Sequence, residues 1–562
     1  MNGNVLLRFA VMIFGMLLAA YVMVQVLTDY RNSLSSLFKM LAVGGFVIGF
    51  LQPKLGAYTI IIVCGYLDLL KRCLLLFGQV YFVDIVTVLS VAPLMFAGIC
   101  LGILFSRTRQ GRLFEGVEWK LFAFTVAMLG IVLAAAVRAH GGLGGGIING
   151  ANSGAYVPWL LFAGFLFPTL RAQRAYLRFI LIAFVPVALY AYKQAFFGLT
   201  GFEKMYMVSG LTQVNSITLA GLLRPFSTLN SAHSLSIMLV VLFGLSVYKV
   251  ATSSKGRLAY GFLALLFLGA MIPGYTRTAW LMAMVFLGSV FFFRKAWSTK
   301  VFYACAALGF LTLILASGYM TDNIKSFSMG TNAKSTWVNQ ALQAETFKER
   351  VHGIHNWTSS TRLWTWFGMD TSNIVQGDTE MGTHDMLGGI LVNYGGIALF
   401  VTVFAGIAFL YYAHRSVLRI RQDGDRFLGI CYLGLLFGLV FTGMISGAHF
   451  NIFPINFFFW FIAGALIALV KRSSEMEAEA AREKRAKNPA PERSHGYHRG
   501  RPSQGPGQAI QPGGGRFGPR SHPVQEPVLQ PSASVPVPVE SVATKREAVF
   551  PIRPSGQGDP LR

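Results

Sequence analysis

Acidic side chains are scarce in this 562-residue chain, with 24 Asp and Glu against 48 Lys and Arg. Charge of either sign makes up 13% of the residues, about half of the roughly 25% usual for a soluble domain. That excludes a single soluble globular protein and a disordered one. Cysteine is also sparse. The five cysteines, Cys64, Cys73, Cys100, Cys305 and Cys431, fall in or beside apolar runs, so neither a disulfide framework nor a Cys-based metal site is indicated. They are expected to act as small buried apolar residues. No acidic cluster suited to a catalytic Mg²⁺ or Mn²⁺ stands out, and no metal or other cofactor is expected.

What the chain has in abundance is apolar residues. They make up 54% of it, and the mean hydropathy is +0.53. The formal charge of +24 and pI near 10.0 would suggest nucleic acid in a soluble protein. In an oily chain the question becomes which side of a bilayer the cations occupy, and no nucleic-acid partner is expected. Composition changes near Val470. From Lys471 onward the apolar runs stop, and this segment holds 14 of the 22 prolines. Residues 1–470 read as a polytopic membrane domain. Residues 471–562 read as a Pro/Gly-rich cytoplasmic tail too poor in apolar surface to offset the entropy of ordering. Its first part, Glu475 to Lys487, is rich in Ala, Glu, Lys and Arg and is expected to prolong the last helix. The tail carries 15 Lys and Arg against 9 Asp and Glu, a net +6, which leaves +18 on the membrane part.

A span needs about 20 mostly apolar residues. The runs predict helices near 9–28, 35–52, 55–70, 85–105, 119–137, 156–170, 176–192, 232–250, 258–275, 279–293, 300–317, 386–413, 427–445 and 452–470. The expected fold is an all-α polytopic bundle of about 12–14 spans. The first run lacks a small-residue cleavage site and is read as a retained span rather than a signal peptide. Basic clusters follow the even-numbered spans: Arg107 to Lys120, Arg171 to Arg178, Lys249 to Arg257, Arg294 to Lys300, Arg415 to Arg426, and Lys471 with Arg472. The positive-inside rule then places both termini in the cytoplasm, as expected for a bacterial inner-membrane protein. Lys71 and Arg72 are the main exception. The same count puts two long segments outside, 193–231 and 318–385; the second is the largest loop and is rich in Thr, Ser, Asn and Trp.

Three arginines on that outer side stand out. Arg224 lies in Gly221-Leu-Leu-Arg-Pro-Phe-Ser-Thr-Leu-Asn230, Arg277 in Gly274-Tyr-Thr-Arg-Thr-Ala-Trp280, and Arg362 in Ser359-Ser-Thr-Arg-Leu-Trp364. A lone outer arginine commonly snorkels to headgroups. Two at helix ends on one side can instead converge on a diphosphate, which guanidinium suits through fixed charge and bidentate geometry. His384, in Gly382-Thr-His-Asp-Met386, begins the span after the large loop. It can cap that helix or take a proton from an attacking sugar hydroxyl. Asp385 can orient the imidazole or start the helix. His355 is a weaker rival. His233 and Asn230 begin the span at 232 and are candidate polar groups of the same site, or a helix-start hydrogen bond. Asp68 and Asp84 are acids in or beside early spans with no evident partner.

These segments together resemble the O-antigen ligase and polymerase superfamily of bacterial membrane glycosyltransferases. Arg224 to Asn230 is similar to that family's Arg-to-Asn stretch before a helix, and Gly274 to Trp280 to its Arg-Thr turn. His384 with Gly395 eleven positions later is similar to its His-Asn segment. The likeness covers roughly residues 200–470. Asp385 stands where the family has Asn, Pro225 follows Arg224, and the spacing after Arg362 is shorter than the family's. The resemblance implies inverting, metal-independent transfer of an undecaprenyl-diphosphate-linked glycan in the outer leaflet, on a periplasmic catalytic face. Arg224 and Arg277 would hold the diphosphate and His384 would activate the acceptor hydroxyl, with Arg362, Asn230, His233 and Asp385 binding substrate. The acceptor would be another lipid-linked repeat, lipid A core or a protein side chain. Polymerisation of a surface or exopolysaccharide is favoured here.

A lipid-linked glycan transporter is the reading from another class. It would place charges near mid-span and show related halves; here mid-span charges are few and no internal repeat is evident. A metal-dependent transferase using a monosaccharide lipid phosphate would want an acidic pair in the first outer loop, where only Asp29 stands. The tail would dock polysaccharide-assembly proteins or bind acidic headgroups of membrane lipids through Arg482 to Lys487.

Overall fold

The computed structural model describes residues 30–73, 82–112, 115–139, 154–208, 218–219, 222–294, 358, 364–368, 386–446 and 452–487. Apart from one two-residue antiparallel pairing, Thr218–Leu219 with Leu222–Leu223, its regular structure is helical. Among the described residues, nine helices are long and apolar enough to cross a membrane, and two shorter apolar ones accompany them. The chain is an all-α polytopic membrane bundle.

The first helices are α1 (Tyr30–Leu51), α2 (Pro53–Cys73), α3 (Phe82–Arg109) and α4 (Trp119–Ala139). α1 and α3 pack through small residues. A Cβ at Gly98 or Gly102 would run into the carbonyl oxygens of Phe46 and Phe50, and one at Gly49 would lie 2.6 Å from the Met95 carbonyl oxygen. In hydrocarbon there is little hydrophobic drive between helices, so close backbone approach supplies the attraction.

The run at 156–170 departs from expectation. Its helix, α5 (Trp159–Leu166), has eight residues, about 12 Å, too short to cross a bilayer alone. Pro168 disfavours α geometry at Phe167, which adopts φ −110° and ψ 73°. Thr169 then caps a new helix, its hydroxyl accepting from Ala172 N at 3.1 Å. α6 (Leu170–Ala183) and α7 (Val185–Phe197) together make one span. Trp159 is fully buried in an aromatic cluster with Phe96, Phe457 and Phe461.

α8 (Gly201–Val208) lies within the segment expected to be a long loop. α9 (Ala232–Thr252) is buried almost all round, as a central helix must be, and packs on α10 (Arg257–Met271) and α11 (Arg277–Arg294). α12 (Met386–Arg419), α13 (Asp423–Ser446) and α14 (Ile455–Lys487) complete the bundle. α14 runs through the composition boundary at Val470 and ends at Lys487, as the Ala/Glu/Lys/Arg-rich stretch predicts. The runs at 9–28 and 300–317, most of the 318–385 loop and the chain beyond Lys487 lie outside the described residues.

Basic residues gather at one end of this bundle. Arg174 pairs with the buried Asp425, and Lys249 Nζ donates to the Arg174 carbonyl oxygen at 3.4 Å. Lys471 Nζ donates to the Gly116 carbonyl oxygen at 2.7 Å. Lys249 sits near the C-terminus of α9. The N-terminus of α9, about 30 Å away, belongs to the opposite end, where Arg224, Arg277 and the exceptional Arg72 lie.

Candidate functional site

Two of the sequence-predicted arginine segments meet. Arg224 Nε donates to the Gly274 carbonyl oxygen at 2.9 Å, and its Nη2 donates to Thr276 Oγ1 at 3.0 Å. The turn it grips, Ile272–Gly274 followed by Tyr275 in the left-handed region (φ 46°), launches α11 at Arg277. Ser236 of α9 donates to Thr276 Oγ1 at 3.2 Å, and Gly274 leaves room for that hydroxyl. Ser231 caps α9, accepting from Ser234 N at 3.1 Å. The N-termini of α9 and α11 therefore stand side by side, with two guanidinium-bearing segments at their mouth. Helix N-termini carry partial positive charge and unpaired amides, so this corner favours an anion.

Below Arg224, the stretch Phe226–Asn230 is held by groups from α2, α7 and α8. Gln194 Oε1 accepts from the backbone N–H of Phe226 at 3.0 Å and of Ser227 at 2.6 Å. Ser227 has φ 51°, a strained value for a residue with a Cβ, and its hydroxyl donates to the Val187 carbonyl oxygen at 2.6 Å. Arg72 donates to the carbonyl oxygens of Ser227 and Leu229 and faces Glu203 at 3.8 Å. Its guanidinium lies 4.3 Å from the centre of the Phe226 ring. Glu203 also accepts from Thr200 N and Thr200 Oγ1, each at 2.8 Å. The Asp68 carboxylate lies near the Asn230 backbone, and Thr228 Oγ1 donates to the Gly65 carbonyl oxygen at 2.5 Å.

No protein-family model and no curated protein matches the chain. The site is therefore read from its own geometry.

Arg224 and Arg277 are both partly buried and share one turn. Asn230 is exposed at the foot of α9, and His233 is partly buried on its first turn. Arg362, His384 and Asp385 lie outside the described residues. The chain is described again from Met386, two residues after His384. There α12 packs on Val440 and Met444 of α13. Gly438 of the same helix meets Met282, on the second turn of α11, so α12 starts at the end of the bundle that holds Arg277.

α12 is broken at Gly395 (φ 86°, ψ 176°). Thr365 and Trp366 supply carbonyl oxygens to the N–H groups of Gly396 (2.7 Å) and Ile397 (3.4 Å), so part of the large loop caps the second half of the helix. Gly368, also at positive φ, fits against this break, and Trp364, Trp366 and Phe367 are exposed beside it. The glycine that carries the sequence resemblance is thus the point where the helix breaks.

Arg72, Glu203 and Gln194 were not among the sequence-derived site residues. Arg72 and Asp68 did leave a signal, as a basic residue against the charge pattern and an acid without an evident partner.

Proposed function

We propose that the chain is a membrane glycosyltransferase of the O-antigen ligase and polymerase type, which it resembles in the Arg224, Arg277 and His384 segments. It transfers an undecaprenyl-diphosphate-linked glycan to an acceptor sugar hydroxyl, polymerising a surface or exopolysaccharide. The observation that carries this reading is the grip of Arg224 on the turn that launches Arg277, beside two helix N-termini. Such a corner is suited to a leaving diphosphate. The site end is then the periplasmic face, because the basic clusters collect at the other end.

In this reaction His384 takes the proton of the acceptor hydroxyl as its oxygen attacks the anomeric carbon. The bond to the diphosphate oxygen breaks on the opposite face, and the electron pair leaves with the diphosphate. Charge grows there, and the Arg224 and Arg277 guanidiniums stabilise it more in the transition state than in the ground state. Fixed cations make a metal unnecessary for that role.

The test is to incubate the purified full-length protein with an undecaprenyl-diphosphate-linked glycan, with and without EDTA, and to identify the product. Elongated lipid-linked glycan in both arms is the expected result. Transfer only when lipid A core or a protein is supplied would reassign the acceptor. Absence of any transfer would overturn the reading in favour of transport.

A further inference from the structure

We infer that α2 is part of the site's machinery and that Arg72 is a positioning residue for Arg224. The inference rests on the proposed role of Arg224 and extends the site beyond residues 200–470.

Gly65, Asp68 and Arg72 are spaced three and then four residues apart, so they form one stripe on the face of α2. Two members bind the segment that follows Arg224, Gly65 through the hydroxyl of Thr228 and Arg72 through the carbonyl oxygens of Ser227 and Leu229, and Asp68 between them lies near the Asn230 backbone. The Arg72 contacts go to backbone, so they fix the path of the chain rather than the identity of its side chains. Gln194 takes the two N–H groups that Arg72 leaves unserved, those of Phe226 and Ser227. At φ 51° the Ser227 N–H is taken by Gln194 and its carbonyl oxygen by Arg72, so both neighbouring peptide groups are satisfied in that turn.

Arg72 itself is 1% exposed, and its charge is balanced by Glu203, 0% exposed. A buried cation with a counter-ion and two carbonyl partners is rigid, since any other placement would strand its charge. Phe226, against which it stacks, is two residues from Arg224, a chain reach of about 7 Å. Arg224 is therefore fixed twice: its backbone through the Arg72 cluster, its guanidinium through Gly274 and Thr276. Arg72 is buried and acts through the backbone it holds. It sets where the Arg224 guanidinium stands relative to Arg277.

The test uses full-length protein in membranes, with the five native cysteines replaced and Asn230→Cys introduced as a reporter, in Arg72→Lys, Arg72→Gln and Glu203→Gln backgrounds. Maleimide labelling at position 230 reports the segment's order without reference to any reaction. Labelling is expected to accelerate at least fivefold in the Arg72 variants and in the same direction, by less, in Glu203→Gln. In the corresponding variants that retain Asn230, kcat for glycan transfer per folded molecule is expected to fall at least tenfold, with Arg72→Lys recovering part of it. If Arg72 variants do not accumulate, Glu203→Gln decides the matter alone. Unchanged labelling and unchanged kcat in folded variants would overturn the inference and leave the proposed function standing. Full activity in Arg224→Ala would overturn the proposed function, while the labelling result would still decide whether Arg72 orders the segment.

Discussion

Arg72 and Glu203 face each other at 3.8 Å, with side chains 1% and 0% exposed, where α2 meets α8 beneath the Arg224 segment. A charge pair withdrawn from water is costly to desolvate and gives little net stability, but removing one partner is strongly unfavourable. The pair is therefore better understood as a device for geometry than as a source of stability. It also explains the one basic cluster that broke the positive-inside pattern: Arg72 is spent on a buried acid and on backbone carbonyls, not on headgroups.

The grip of Arg224 on its neighbours is specific to guanidinium. Its Nε and Nη2 serve two different oxygens at 2.9 and 3.0 Å, a fork that only a guanidinium supplies. Arg224→Lys keeps the charge and loses the fork. Glycan transfer is expected to fall at least tenfold, which corresponds to about 1.4 kcal/mol of transition-state stabilisation. Steady-state transfer by equal amounts of folded protein measures this, and full activity in the lysine variant would refute bidentate binding.

Gly395 is expected to be intolerant of a side chain. Its φ and ψ of 86° and 176° lie in a region open essentially to glycine alone, and a Cβ there would overlap the Trp366 carbonyl oxygen and the Gly368 amide. Gly395→Ala should cost about 1–3 kcal/mol of stability. It should also detach residues 364–368 from α12, which protease sensitivity near Trp366 would reveal. An alanine variant as stable and as resistant as the parent would show that the helix break is dispensable.

The α1–α3 contact gives a stability prediction remote from the site. Gly98→Val places branched carbons against the Phe46 carbonyl, so the helices must separate. Overpacking of this kind costs about 1–3 kcal/mol. A lowered thermal midpoint in detergent is expected, with residual activity per folded molecule unchanged. An unshifted midpoint would mean that the two helices are not packed this closely.

The spans were legible because apolar runs bounded by polar breaks are a direct consequence of bilayer thickness, and the described helices follow them closely. Two features were hidden. The break at Gly395 lies inside an unbroken apolar run, and only its loop partners at Thr365 and Trp366 reveal why the helix yields there. The short α5 was masked by apolar residues on both sides of Pro168, although that proline was its local signal. For the site, the sequence placed Arg224 and Arg277 on one side but gave no means of seeing that one grips the other's turn. Glu203 carried no local signal at all, since its partner comes from a distant helix.

The described helices end at Lys487, and the proposed site draws nothing from beyond that point. Deleting residues 488–562 should leave transfer by the purified protein within about twofold of the full chain, roughly 0.4 kcal/mol or less. Loss of transfer in a folded deletion variant would show that the tail belongs to the enzyme.

The most direct test of the central claim is glycan extension by Arg277→Ala protein that accumulates in the membrane at the parent's level. The account predicts loss of extension by at least a hundredfold, because one of two guanidiniums that neutralise the departing diphosphate is gone. Polymer at parental levels would contradict it.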